Sequence, residues 1–263
     1  MEMIFTIIVA LLAVNSVPLF RRISHKWFFR RQLKRFAQFA PSYHQVISEN
    51  FSYYNRLSPD EQQKFLFRTF LFRQSHRFHY VEIEEQEEMP ILISAVAVQL
   101  TLGLDQFLLN FFRNIYVLRE DYKYGYYSMP FMGHVDHSGI YLSWHNFKQG
   151  ISRMSENSNL GLHEMAHALA YVNFVTETEE DPHFKKEFHE FSRVARPIFN
   201  EMQRGRKTLL GDYAASNYNE FWAVSVEVFF ENPVSLRREL PELYEALRKL
   251  LRQDPLHVRV LAA

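Results

Sequence analysis

Residues 159–173 read NLGLHEMAHALAYVN, two histidines four apart with a glutamate directly after the first. Residues at that spacing on an α-helix share one face, with Cβ atoms about 6 Å apart. His163 and His167 can therefore offer two imidazoles to one ion, at roughly 2.0 to 2.1 Å each for zinc. Glu164 then projects close enough to reach a water on that ion without ligating it. A zinc hydrolase needs this arrangement: the metal acidifies a water and a carboxylate takes its proton. The competing reading is a helix with two solvated or core histidines. Its flanks weigh against that reading, because NLGL and ALAYV are apolar and two unpaired buried imidazoles are costly.

A catalytic zinc takes three protein ligands plus water. Residues 211–233, GDYAASNYNEFWAVSVEVFFENP, place Glu220 on an apolar helix, with Glu227 two turns further on the same face. A carboxylate buried in such surroundings requires a cation or strong hydrogen bonds. Glu220 as ligand with Glu227 supporting it from behind is one arrangement. Spacing alone equally allows the reverse, and an ordinary salt bridge is the alternative for either.

The 263-residue chain is long enough for one large domain or two small ones, and 25 Phe and 14 Tyr supply a sizeable core. A formal net charge of zero provides no overall basic field for nucleic acid, which is not expected as a partner. The absence of cysteine excludes disulfides, thiolate ligands and a cysteine nucleophile. With only 8 Gly and 10 Pro the chain is neither disordered nor fibrous in composition.

Met3 to Phe20 are apolar apart from Thr6, Asn15, Ser16 and Pro18. As a helix they reach roughly 27 Å, just short of the ~30 Å hydrocarbon core of a bilayer. Arg21, Arg22, Lys26, Arg30, Arg31, Lys34 and Arg35 follow before any further acidic residue. Flanking bases stay cytoplasmic, and Trp27, Phe28 and Phe29 suit anionic headgroups. The expectation is a single-pass anchor over residues 1–20, a basic juxtamembrane segment over 21–40 that contacts membrane lipids, and a domain over 41–263. That domain would lie on the cytoplasmic side of an inner membrane. The alternative is a docked N-terminal helix of a cytoplasmic protein.

Residues 41–81 read as helices, with Ser58 as N-cap, Pro59 at the first helical position and Glu61 closing a capping box. PILISAVAVQLTLGL reads as a further helix, FRNIYVLRE and GIYLSW as strands. The acidic TETEEDPHF breaks the chain at Pro182, and two or three further helices run to LLRQDPLHV. The fold class is α+β, mainly helical with a small sheet. His134, His137 and His145 read as exposed loop histidines rather than a second metal site, and Glu82 to Glu88 as a solvated acidic segment.

NLGLHEMAHAL followed by DYAASNYNEFWAVSVEVFFENP resembles the Mlc titration factor A family of zinc metallopeptidases, itself similar in its active site to anthrax lethal factor. LSPDEQQKF, GIYLSWHNF and LPELYEALRKLLRQDP extend the resemblance over most of residues 50 to 256. It implies a zincin-like, gluzincin-type domain and zinc as cofactor. It places metal ligands on His163, His167 and Glu220, and the general base on Glu164. The family's tyrosine seven residues before the third ligand falls on Tyr213, where a phenol can donate to the oxyanion. Peptides or proteins are the implied substrates, with GIYLSW as the edge strand that pairs with them. A second implied role is binding of a regulatory protein partner, since the family's namesake sequesters a transcriptional repressor. Ala170 departs from the family's pattern, which often carries an aspartate three residues after the second histidine.

Overall fold

In the computed structural model, which describes residues 31–125, 130–152, 159–176, 181–257 and 259–260, every residue from Met89 to Thr101 is buried. That run is a helix apolar on all sides, which only the centre of a domain can accommodate. Contacts divide the chain into two units, residues 1–42 and 43–263. In the first unit, residues 31–42 are helical, with Leu33 and Phe39 exposed. The anchor expected over residues 1–20 and the bases up to Arg30 lie outside the described residues. No described helix is long and apolar enough to cross a membrane.

The second unit opens with helical residues 43–50 (α1), followed by α2 (Ser52–Asn55) and α3 (Pro59–Ser75). Ser58 and Glu61 close the expected capping box and Pro59 takes the first turn. The central helix is α4 (Glu88–Thr101), packed between α3 and α6 (Leu160–Phe174). In chain order between α3 and α6 come the strands of a four-stranded sheet, β1 (Arg77–Val81), β2 (Asn114–Leu118), β3 (Gly133–Asp136) and β4 (Gly139–Ser143), arranged β1-β2-β4-β3. The first three neighbours run parallel and β3 returns antiparallel on β4. Ile115, Val117, Ile140 and Leu142 are fully buried on one face. The other face carries one ring per strand, stacked across it: His79 on Tyr116 at 4.8 Å, Tyr116 on Tyr141 at 4.4 Å and Tyr141 on His134 at 4.2 Å.

Three expectations are corrected here. Residues 77–81 are a strand, not a continuation of helix, because the chain leaves α3 at His76 with extended backbone and pairs with β2. His134 is not an exposed loop residue but a half-buried member of the ring stack; His137 and His145 are exposed. GIYLSW is not an edge strand, since β4 is hydrogen-bonded on both sides and β3 forms the edge.

α5 (Trp144–Ser152) leads from β4 towards α6. Beyond Pro182 the chain forms four helices rather than two or three: α7 (Pro182–Gln203), α8 (Tyr218–Glu231), α9 (Pro233–Glu239) and α10 (Pro241–Leu251). Pro182 begins α7, its missing N–H harmless in the first turn, and Asp181 caps it by accepting from Phe184 N at 3.0 Å. A short 3-10 turn, Asp212–Ala215, precedes α8, and strands β5 (Gln253–Asp254) and β6 (Arg259–Val260) pair at the end.

Trp222 of α8 joins three helices. Its indole N–H donates to Ala166 O of α6 at 2.9 Å, and its ring meets Phe188 and Phe191 of α7 edge-on, both at 5.3 Å. It is almost wholly buried. Trp222→Ala should therefore destabilise the domain by about 3–5 kcal/mol. Urea unfolding measures this, and a cost below about 1 kcal/mol would contradict the packing role given to the indole.

Candidate metal centre

Two helices bring the site together. Asn159 caps α6 by accepting from Leu162 N at 3.0 Å, which starts the helix at Leu160, one turn before His163. Asn217 caps α8 by accepting from Asn219 N at 3.0 Å and Glu220 N at 3.1 Å. Glu220 thus sits in the first turn of α8, where the helix dipole favours a negative charge.

His163 Nε2, His167 Nε2 and Glu220 Oε2 converge. The two nitrogens are 3.0 Å apart, and the oxygen is 2.9 Å from the first and 3.4 Å from the second. Among the described residues these three form the one group of potential ligands whose atoms all lie within 4.8 Å of one another. Glu220 Oε2 is buried and, despite these short distances, accepts no well-aligned hydrogen bond. The two nitrogens are within hydrogen-bonding geometry of each other, so one of them carries the shared proton, while the Glu220 oxygen approaches both without such geometry. Three such acceptors repel one another unless a proton or a metal ion lies among them.

Glu227 lies behind His163. Its Oε1 accepts from Nδ1 at 2.6 Å and its Oε2 accepts from Asn159 N at 2.8 Å. Of the two carboxylates, Glu220 faces the second histidine, while both oxygens of Glu227 are engaged elsewhere. Holding Nδ1–H fixes the orientation of the ring and presents Nε2 to the cluster. No carboxylate among the described residues does the same for His167, and Ala170, one turn on, lines the cleft instead.

Glu164 is 4% exposed, and its Oε2 has no hydrogen-bond partner. Burial pushes its carboxyl up to about 8, opposed by His163 and reinforced by Glu220 and Glu227. Burial works against a charge on His163 as well. There the carboxylates of Glu220 and Glu227 outweigh it and raise the imidazole to about 10. Burial alone would raise Glu220, yet the two histidines drive it well below the usual carboxylate range. Tyr213, in the 3-10 turn, has its ring 6.0 Å from that of His163 and is 61% exposed. Partial burial and the Glu220 charge push its phenol upward, so it remains a donor.

The cluster opens into a cleft of about 830 Å³. Gly133, His134 and Val135 of edge strand β3 form one wall; Ala170, Phe174, Val175 and Phe188 line another. These were not singled out from sequence, apart from His134 in another setting and Ala170 as a departure. The available signal was Gly133, since a glycine beside an alternating run marks close backbone approach.

In the metal-free protein His163 keeps its proton until pH approaches about 10. Its raised value stabilises that form fully below the ordinary imidazole range, and the contribution is lost as pH rises through the raised one. A cation needs the same lone pair, so loading at neutral pH should release about one proton per ion. Calorimetry in buffers of different ionisation heat reads this release. Apparent affinity should fall as pH is lowered towards about 6, and heats independent of buffer would contradict the assignment.

Residues 25–252 match the model of the family described as glucose-regulated metallo-peptidase M90. The uncharacterized protein slr2042 of Synechocystis sp. is similar, 24% identical over 235 residues that cover 82% of this chain and 85% of the relative. The match extends over most of the chain and includes both site helices, in keeping with the resemblance to the Mlc titration factor A family. The chain belongs to the M90 family of metallopeptidases.

Proposed function

We propose that this chain is a zinc-dependent peptidase in which His163, His167 and Glu220 hold the metal and Glu164 is the general base. The observation that carries the reading is the convergence of two Nε2 atoms and one carboxylate oxygen beside a second, buried carboxylate. The donor set fits the ion: two imidazoles and a carboxylate are a zinc set, and Glu220 Oε2 is a buried acceptor left without a hydrogen bond. A zinc ion held by these three residues would supply a water whose pKa falls from about 15.7 towards 7 and would polarise a carbonyl.

The remaining steps belong to the chain. Glu227 keeps the His163 ring oriented through Nδ1. Glu164 receives the proton of the attacking water at its carboxylate and passes it to the leaving amine, a role suited to a carboxyl that burial has made more basic. The Tyr213 phenol, held protonated, donates to the oxygen of the carbonyl under attack. A peptide substrate adds to the edge of β3, which lines the cleft through Gly133, His134 and Val135. The apolar run of residues 3–20 with its basic flank supports tethering to membrane lipids, domain on the cytoplasmic side.

Glu164→Gln keeps the size of the side chain and removes the base. Hydrolysis of a fluorescence-quenched peptide should fall by about 10²–10⁴-fold with zinc content unchanged. Retention of activity within about twofold would overturn the role of Glu164 and with it the peptidase reading.

A further inference from the structure

Glycine at position 133 has no conformational explanation. The glycines with left-handed backbone are Gly125, Gly205 and Gly211. Gly133 instead lies in β3, paired with Leu142 of β4, where β-branched and aromatic residues are favoured over glycine. Space explains it. A Cβ built there would stand 2.7 Å from Oε1, 2.8 Å from Cγ and 2.9 Å from Cδ of Glu164. Three contacts that short lie well inside the roughly 3.5–4.0 Å at which carbon atoms attract. The carboxylate therefore rests directly on the strand backbone.

The backbone is fixed on both sides of this contact, so only the Glu164 side chain can yield. Strand β3 is hydrogen-bonded to β4, and Ser143 N donates to Met132 O at 2.7 Å. The next residue, His134, is stacked on Tyr141 and bonded through Nδ1 to Tyr122 Oη at 2.7 Å. On the other side, Glu164 projects from α6, which Glu227 and Trp222 tie to α8. Its Oε2 has no hydrogen-bond partner to orient the carboxylate. Shape has to orient it.

We infer that Gly133 is a positioning residue: the bare backbone of edge strand β3 is the wall that sets where the Glu164 carboxylate stands relative to the ligand cluster. This rests on the peptidase reading for its consequence, while the contact itself does not depend on that reading. A methyl group at 133 pushes the carboxylate away from its working position. Misplacement by about 1 Å costs on the order of 10²-fold in rate.

The test is a double-mutant cycle of Gly133→Ala and Glu164→Asp in the full chain, with two readouts. The aspartate is one methylene shorter and withdraws from the added methyl. In metal-free protein, Gly133→Ala should lower the melting temperature by about 5 °C, and by less than about 1 °C in the Glu164→Asp background. In zinc-loaded protein, Gly133→Ala should lower kcat about 10²-fold on a fluorescence-quenched peptide, with KM within about twofold and zinc content unchanged. The double variant should be no slower than Gly133→Ala alone. Additive melting shifts would overturn the inference and leave the peptidase reading intact. A raised KM with unchanged kcat would also overturn it, assigning Gly133 to substrate approach instead. Coupled melting shifts in a wild type that hydrolyses no peptide would sink the peptidase reading and retain the contact.

Discussion

Glu227 holds the centre of this structure with two hydrogen bonds. One oxygen accepts from the backbone of Asn159, the residue that caps α6, and the other from Nδ1 of His163, one turn into that helix. A carboxylate 4% exposed among Val226, Val228 and Phe230 is costly unless both oxygens are satisfied, and here they are. Because Glu227 and Glu220 are two turns apart on α8, fixing one places the other against the far nitrogen of the same imidazole, at 2.9 Å. A single ring is thus held at one nitrogen and faced at the other by carboxylates of one helix.

The consequence is a cluster that the polypeptide alone leaves in electrostatic conflict. Two imidazoles and a carboxylate oxygen are packed within hydrogen-bonding distance, and a second carboxylate, Glu164, is buried beside them. In the metal-free protein a proton on His163 relieves the conflict, which is why that group is raised while Glu220 is depressed. A divalent cation would relieve it more completely, and membership of a metallopeptidase family points the same way. Strain left unresolved by the fold marks functional sites more generally.

Much of this was legible in the sequence wherever a local rule acts alone. The Ser58–Glu61 capping box, the apolar α4 and the i, i+4 histidines were all readable because propensity and periodicity decide them within a few residues. The pairing of Glu220 and Glu227 was readable as a two-turn spacing, but their division of labour was not, since it depends on where α6 crosses α8. Strand β1 escaped because RFHYV follows α3 without a glycine or proline to mark the change, and its pairing partner lies 37 positions on, Arg77 opposite Asn114. β3 escaped because it has four residues and takes its identity from β4. The contact between Gly133 and Glu164 is purely tertiary.

The central claim is that His163, His167 and Glu220 ligate one ion. X-ray absorption at the zinc edge of the loaded full chain tests it without reference to any substrate. The expected spectrum has two imidazole nitrogens with their outer-ring scattering and carboxylate oxygen, all at about 2.0–2.2 Å. His167→Ala should remove one imidazole. A spectrum of oxygen scatterers alone, unchanged by that substitution, would contradict the account.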